Sequence, residues 1–539
     1  MFTSVWHEIT MSGDWRNVAT TLLAVLFGAK VAANAYARVV VSDAERKAPR
    51  VQRPKGSLPF LHETLQAMAH SADFHDYWTT LSEDAEGRSV HVKILGHPDT
   101  ISVATPELFE DILKTQFESF EKGPYFKSIV SDLLGDGIFA ADGQVWVHQR
   151  KTASNLFSLR MLRESMAESV QKHITALYRV LFRQGVAEKQ PVDLAELFNR
   201  FAIETFAEIG FGVDLKCLDT PEEHPFAQAF ARVQEILIVR FLRPPSFWKL
   251  QRWLNVGMER ELTQNIRIIH DMVLDIIEKF LENRSLPGYK FDETKKDIIS
   301  LFLNHTSLDG SRSAPGDEDS VDPRFLRDIV VNFLIAGRDT TAQALVWLMY
   351  NVMRHPEVGS KIRQELEEQL PELVRGKIES PSMEQVQKLV YLEAAVRESL
   401  RLHPPVPGNM KQATKDIVLC DGTFVKKGWR VSISPYTLAR MESVWGPDAK
   451  EYKPERWIDP ETGKIKSVSA YKFPTFNAGP RICLGMNLAL MEIKIVAASL
   501  LSKFHLELVP DQDIKYDFSL TLPIKGRLLA ILTPAAAAM

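Results

Sequence analysis

The alternation of apolar and polar positions divides the chain into recognisable elements. Val18 to Ala29 is an apolar run, and it continues more weakly to Val41 past Lys30. A spanning helix needs about 20 apolar residues, so residues 17–41 suffice only if Lys30 and Arg38 snorkel. Ser89–Ile94 and Thr100–Ala104 alternate with period two around Gly-His-Pro-Asp and predict a hairpin. Thr105-Pro106 supplies the cap and first position of a helix. From Leu159 to Leu281 the period is helical, broken at Gly185, at Asp219-Thr-Pro and at Arg243-Pro-Pro-Ser. The stretch 307–320 is polar and acidic and reads as a surface insert. A long helix is predicted from Asp322-Pro323 to Arg354, about 48 Å at about 1.5 Å per residue. Tyr391 to Leu402 is a further helix, stopped by Pro404 and Pro405. Hairpin-like stretches follow at 417–424 and 429–434, and an apolar helix at Met486–Leu501. A last hairpin, 519–532, has Lys525-Gly526 at its predicted tip. The expected fold is mainly α with smaller β-sheets. Residues 1–56 are read as a membrane anchor and hinge, and 57–539 as one large catalytic domain.

Composition narrows the picture little. The chain has 539 residues, 45% hydrophobic, ample for a large core. Lys+Arg 65 against Asp+Glu 69 gives −4, so no global charge points to nucleic acid. Its three cysteines, Cys217, Cys420 and Cys483, include no C-x-x-C pair, which argues against a disulfide framework and a cysteine zinc site. The basic segment Arg46–Lys55 after the apolar run argues for a cytosolic catalytic domain. Ala33-Asn-Ala35 and Ala35-Tyr-Ala37 also mimic signal-peptidase sites, and a helix lying on the membrane surface is a third reading.

The chemistry concentrates at Phe476-Asn-Ala-Gly-Pro-Arg-Ile-Cys-Leu-Gly485. Cys483 stands just before a predicted helix, where free N–H groups favour thiolate. Gly479 and Gly485 permit close backbone approach to a flat ligand, and Arg481 can pair with a carboxylate. A lone cysteine in such a turn is ordinarily structural. The full pattern F-x-x-G-x-R-x-C-x-G favours an iron porphyrin held by one sulfur, and it resembles the haem-binding loop of the cytochrome P-450 superfamily.

Other segments fit that reading. Trp146 and Arg150 share a helix face and, beside such a cysteine, suit a porphyrin propionate; alone they read as a cation–π pair. Ala336-Gly-Arg-Asp-Thr-Thr341 breaks helix propensity in mid-helix, Gly337 by roughly 1 kcal/mol. Phe333, Ala336, Gly337 and Thr340 fall on one face, leaving room for a flat cofactor, unless the segment is merely a kink with side chains bonding back to carbonyls. It resembles the superfamily's A-G-x-D-T-T signature, which implies oxygen activation by Thr340 and proton relay by Asp339. Ala336 stands where some fatty-acid hydroxylases carry an esterifying Glu, so non-covalent haem b is expected. Glu398 and Arg401, with Arg456, resemble the superfamily's E-x-x-R motif and partner arginine, implying a buried structural triad.

The resemblance covers the chain from about Ser57 and lies nearest the fatty-acid ω-hydroxylase groups of plants and fungi. It rests on 121–139, 336–342, 439–448 and 476–483, although Ala439 departs from their usual Gly. It implies a monooxygenase that uses O2 and hydroxylates a long-chain fatty acid. NADPH would supply electrons through a separate cytochrome P-450 reductase, with cytochrome b5 as a further partner. The membrane would be the endoplasmic reticulum. Lys151, Lys472 and Lys494 are candidates for meeting an acidic flavoprotein. Rival readings are hydroxylation of another lipid, terpenoid or sterol, a haem-thiolate isomerase or lyase, and a non-enzymatic haem or lipid binder.

Overall fold

The computed structural model describes residues 51–535 apart from 156, 158–166, 221–224, 286–297 and 306–322, together with 45, 48 and 49. The expected anchor at 17–41, the surface insert at 307–320 and the Asp322 cap lie outside the described residues.

The helices that carry the site are α1 (Gly123–Leu134), α2 (Gly143–Ser154), α3 (Leu194–Phe211), α4 (Pro225–Arg240), α5 (Pro245–Leu254), α6 (Gly257–Ser285), α7 (Pro323–Arg354), α8 (Val390–Leu402) and α9 (Met486–Lys503). The strands are short. They run β1 (Val90–Val92), β2 (Thr100–Val103), β3 (Phe120–Glu121), β4 (Val192–Asp193), β5 (Asn409–Ala413), β6 (Ile417–Val418), β7 (Phe424–Val425), β8 (Arg430–Ile433), β9 (Phe504–Leu508) and β10 (Leu529–Pro534). They form one sheet in the order β1-β2-β8-β5-β3, a second in the order β4-β10-β9, and the pair β6-β7. The fold is therefore mainly helical with small sheets, as expected.

Local chemistry explains the boundaries. Thr105 caps its helix by accepting from the Leu108 N–H at 3.4 Å, with Pro106 at the first position. Asp193 caps α3, accepting from the Ala195 and Glu196 N–H groups at 3.0 and 3.3 Å, and Gly212 closes it at φ +67°. The central helix α7 has 32 residues and lies against α3. The two approach closely because Gly337 has no side chain: a Cβ there would lie 1.9 Å from the Phe206 ring.

Val51 and Gln52, assigned above to the hinge, already pack on the first sheet. Gln52 pairs with Val90, and Val51 joins the apolar cluster under β8. The last hairpin also differs from expectation. Tyr516 pairs with Ile524, so Ser519, Leu520 and Thr521 turn toward the interior, while Lys525 and Gly526 are exposed. Among the described residues no helix is long and apolar enough to cross a membrane.

Candidate active site

A cavity of about 460 Å³ lies between α7 and the loop before α9. Ala336, Gly337 and Thr340 line it from α7, and Phe476, Arg481, Cys483 and Gly485 from the loop. Of the three cysteines only Cys483 reaches it; Cys217 is buried elsewhere with its thiol pushed up to about 12 by burial.

The loop is held by its own backbone. The Cys483 N–H donates to the Phe476 carbonyl at 2.8 Å, and Gly485 serves as the cap of α9. The Cys483 side chain opens to the cavity and is packed elsewhere. Burial pushes its thiol up, while the Gly485 N–H and the Arg150 guanidinium pull it down. The helix terminus alone thus does not make the thiolate expected from sequence; a bound metal ion would.

Gly479 is corrected. It stands at φ +66°, and a Cβ there would lie 2.1 Å from the Leu113 carbonyl oxygen. Its role is close approach to that backbone, not to a flat ligand. Gly337 lines the cavity beside Ala336 and Thr340, and its missing side chain also makes room for the Phe206 ring.

The Thr340 hydroxyl donates to the Ala336 carbonyl at 2.6 Å. Asp339 is 3% exposed and does not line the cavity. Its Oδ2 accepts from Gln234 Nε2 at 2.6 Å, and its Oδ1 lies 3.0 Å from Arg338 Nη1. Burial pushes the carboxyl up, against Arg338 and Gln234. Gln234 and Thr521, which do line the cavity, continue this chain: Thr521 donates to Gln234 Oε1 at 3.4 Å and accepts from Gln343 at 2.8 Å. Asp339 therefore reaches the cavity through Gln234 and has no direct opening to solvent.

Trp146 is buried, with the guanidinium carbons of Arg481 and Arg150 at 4.3 and 5.9 Å from its ring. Arg481 pairs with Asp142 at 2.7 Å, and Arg150 donates to the Ile482 carbonyl at 2.6 Å. Two cations escaped the sequence reading. Lys122 lies 2.8 Å from Asn409 Oδ1 and is held down to about 7 by burial and by Arg481. Lys411 is 2% exposed, its Nζ has no partner among the described residues, and burial, Lys122 and Arg481 hold it well below the usual lysine range. Asp142 is the one carboxylate acting on Lys122, Lys411 and Arg481 alike. Buried cations in such excess call for an anionic ligand. A porphyrin carrying two propionates fits this donor set, with Cys483 in the same cavity. Lys122 falls within 121–139, one of the stretches that carry the resemblance; Lys411 falls within none of them.

Glu398, Arg401 and Arg456 come together behind the loop. Arg401 makes a bidentate pair with Glu398 at 2.8 and 2.9 Å, and Arg456 Nε reaches Glu398 Oε1 at 2.7 Å. Trp457 Nε1 and the Lys453 N–H complete the carboxylate's partners at 2.9 and 3.0 Å. Arg401 also donates to the Ala439, Ala449 and Glu451 carbonyls, tying α8 to the chain before the cysteine loop. Lys494, proposed above for a flavoprotein, is buried and paired with Glu393 at 3.0 Å, so it cannot meet a partner.

Such a site, with one cysteine and a cluster of anion-seeking cations in an apolar cavity, defines a haem-thiolate oxidoreductase. The family model "Cytochrome P450" matches residues 52–530, and the chain belongs to that family. It is similar to Cytochrome P450 86B1 of Arabidopsis thaliana, 36% identical over 433 residues, covering 79% of this chain and 75% of that protein. It is also similar to Cytochrome P450 94B1 of the same plant (36% identical, 79% and 81% covered) and to Cytochrome P450 704C1 of Pinus taeda (33%, 87% and 91%). The chain is accordingly a monooxygenase of the haem-thiolate type, using O2 and electrons from NADPH supplied through a reductase.

Proposed function

We propose that this monooxygenase hydroxylates a long-chain fatty acid at or near its methyl end. The observation that carries the reading is the cavity wall: Phe126, Val130, Leu133, Phe241, Phe518 and Leu520 give it an apolar body suited to an alkyl chain. The resemblance to the ω-hydroxylase groups supports it.

Cys483 would hold the haem iron through its sulfur, and the haem would supply O2 activation, favoured by thiolate donation. Trp146, Arg150, Arg481, Lys122 and Lys411 would hold the propionates. Thr340 presents a hydroxyl from α7, its proton parked on the Ala336 carbonyl. Asp339 is the proposed proton-relay acid behind the helix, its carboxyl oriented by the Gln234 amide and by Arg338. The apolar walls exclude water around the substrate.

The protein is proposed to sit on the endoplasmic reticulum membrane with its catalytic domain in the cytosol, reduced by NADPH–cytochrome P-450 reductase and assisted by cytochrome b5. Phe247, Leu250, Trp253 and Leu254 on α5 are 47%, 52%, 80% and 52% exposed, a face suited to lipid. Reconstitution with reductase, NADPH and dodecanoic to octadecanoic acids tests the reading. The expected product is an ω- or near-ω-hydroxy acid identified by mass spectrometry. Turnover of sterols or terpenoids with no fatty-acid product would overturn it. Cys483→Ala protein should lose the thiolate-type spectrum of the reduced, CO-bound form; its retention would remove Cys483 as ligand.

A further inference from the structure

A buried guanidinium in the cavity wall, on the sheet rather than the cysteine loop, is left without an acid. Arg430 of β8 is 4% exposed and lines the cavity with Thr100, Met410 and Ser432. Its Nη2 donates to Thr100 Oγ1 at 2.7 Å, its Nη1 lies 3.6 Å from the Met410 sulfur, and its Cζ sits 4.5 Å from the centre of the Tyr125 ring. Its Nε has no partner among the described residues. All three neighbours are neutral. The nearest carboxylate acting on it, Asp99, is already engaged by His91 at 2.9 Å and Lys93 at 2.5 Å. His97, whose ring meets the Tyr125 hydroxyl, is held down to about 4 by burial and by Arg430, so it is neutral and adds no second positive charge.

The haem propionates are not the missing anion. In the antiparallel β5–β8 pair, Gln412 lies opposite Arg430, Lys411 opposite Val431 and Met410 opposite Ser432. Opposed residues share a face, and successive residues alternate. Arg430, Ser432 and Met410 therefore face one side of the strands, and Lys411 the other. The charges acting on Lys411 are Lys122, Arg481 and Asp142; the groups acting on Arg430 are the neutral Tyr125 hydroxyl and the Asp99 carboxylate. The two cation groups are separate sites.

We infer that Arg430 is the specificity-determining residue that receives the substrate's carboxylate, through its free Nε–H and adjacent guanidinium donors, with Thr100 beside it. A planar guanidinium offers two parallel donors to such a group. This rests on the fatty-acid reading above. It adds that the acid is chosen over neutral long-chain esters and alcohols, because only an anion offsets the buried charge.

The test uses the full-length, haem-loaded protein in detergent micelles. Equilibrium dialysis measures binding of dodecanoic acid and methyl dodecanoate to wild type, Arg430→Gln and Arg430→Lys. Wild type should prefer the acid. Arg430→Gln should weaken the acid by about thirtyfold while leaving the ester unchanged, and Arg430→Lys should restore part of the loss. Equal binding of acid and ester by wild type overturns the assignment without any variant and leaves the fatty-chain reading standing. So does a parallel loss of both ligands in Arg430→Gln, which would mark a structural role. If wild type with an intact CO-bound spectrum binds neither ligand, the fatty-acid reading itself falls, and this assignment with it.

Discussion

Single residues decide the site through what they exclude. Gly337 sits where propensity opposes it, and the sequence attributed that to a cofactor. The fold adds a second reason in Phe206, whose ring would be 1.9 Å from any added Cβ. Gly337→Ala should therefore lower stability by about 1–3 kcal/mol through overpacking. Thermal unfolding would show this, and the double variant with Phe206→Leu should recover much of it. A Gly337→Ala protein as stable as wild type would show that Phe206 moves aside freely. Glu492 of α9 makes a second residue-scale case. It is 5% exposed, and burial alone pushes its carboxyl up to about 8. A raised carboxyl value means the folded state binds the extra proton between about 4.5 and 8, so stability falls as pH rises through that window. At pH 7 the loss is about 3 kcal/mol. Glu492→Gln should remove this slope, measured as unfolding midpoint against pH.

At the scale of elements, the sequence was most readable where a period and a stop signal coincide. Helix α9 starts at Met486, where the apolar run begins, and α7 runs from Pro323 to Arg354 between its prolines. Cys483, Thr340 and the Glu398–Arg401 pair were found because each lies in a contiguous motif. Lys122, Lys411, Arg430 and Gln234 were not found, because a lone polar residue acquires its role only when distant strands meet. Lys411 and Arg430 differ in function by strand register alone, which short strands such as β5 and β8 do not announce. The network joining α8 to the segment before the cysteine loop leads to another expectation. Glu398 is wholly buried and has five donors around it. Glu398→Gln or Arg401→Leu leaves buried charge unpaired and should cost about 3–5 kcal/mol. Haem content of the purified variant, compared with its unfolding midpoint, checks this; loss of haem together with stability is expected, since the network anchors the cysteine loop and touches no substrate.

Across the whole molecule, apolar surface gathers around the β1–β2 turn. Leu58, Phe60, Leu61, Leu65 and Met68 are 37–51% exposed, and Thr64 among them accepts from the Leu95 N–H at 2.8 Å. On the other side, Gly96 abuts Pro245 at the start of α5. Phe241 and Trp248 turn inward, Trp248 beneath Arg240 at 4.4 Å, whereas Phe247 and Trp253 turn outward. The aromatic cluster around Arg243-Pro-Pro-Ser is thus divided between cavity wall and surface, a division that burial decides and composition does not. Phe241 lines the cavity, and the exposed face of α5 follows it a few residues on in the chain. Replacing Trp253 and Leu254 together by Glu should weaken binding of the protein to phosphatidylcholine vesicles while leaving haem content and turnover in detergent unchanged. Flotation assays check the first and reconstituted assays the second. The pair of substitutions is made in a protein lacking residues 1–44, the segment read as an anchor from its sequence, with the same protein unsubstituted as reference. Undiminished vesicle binding there would assign membrane contact to another face.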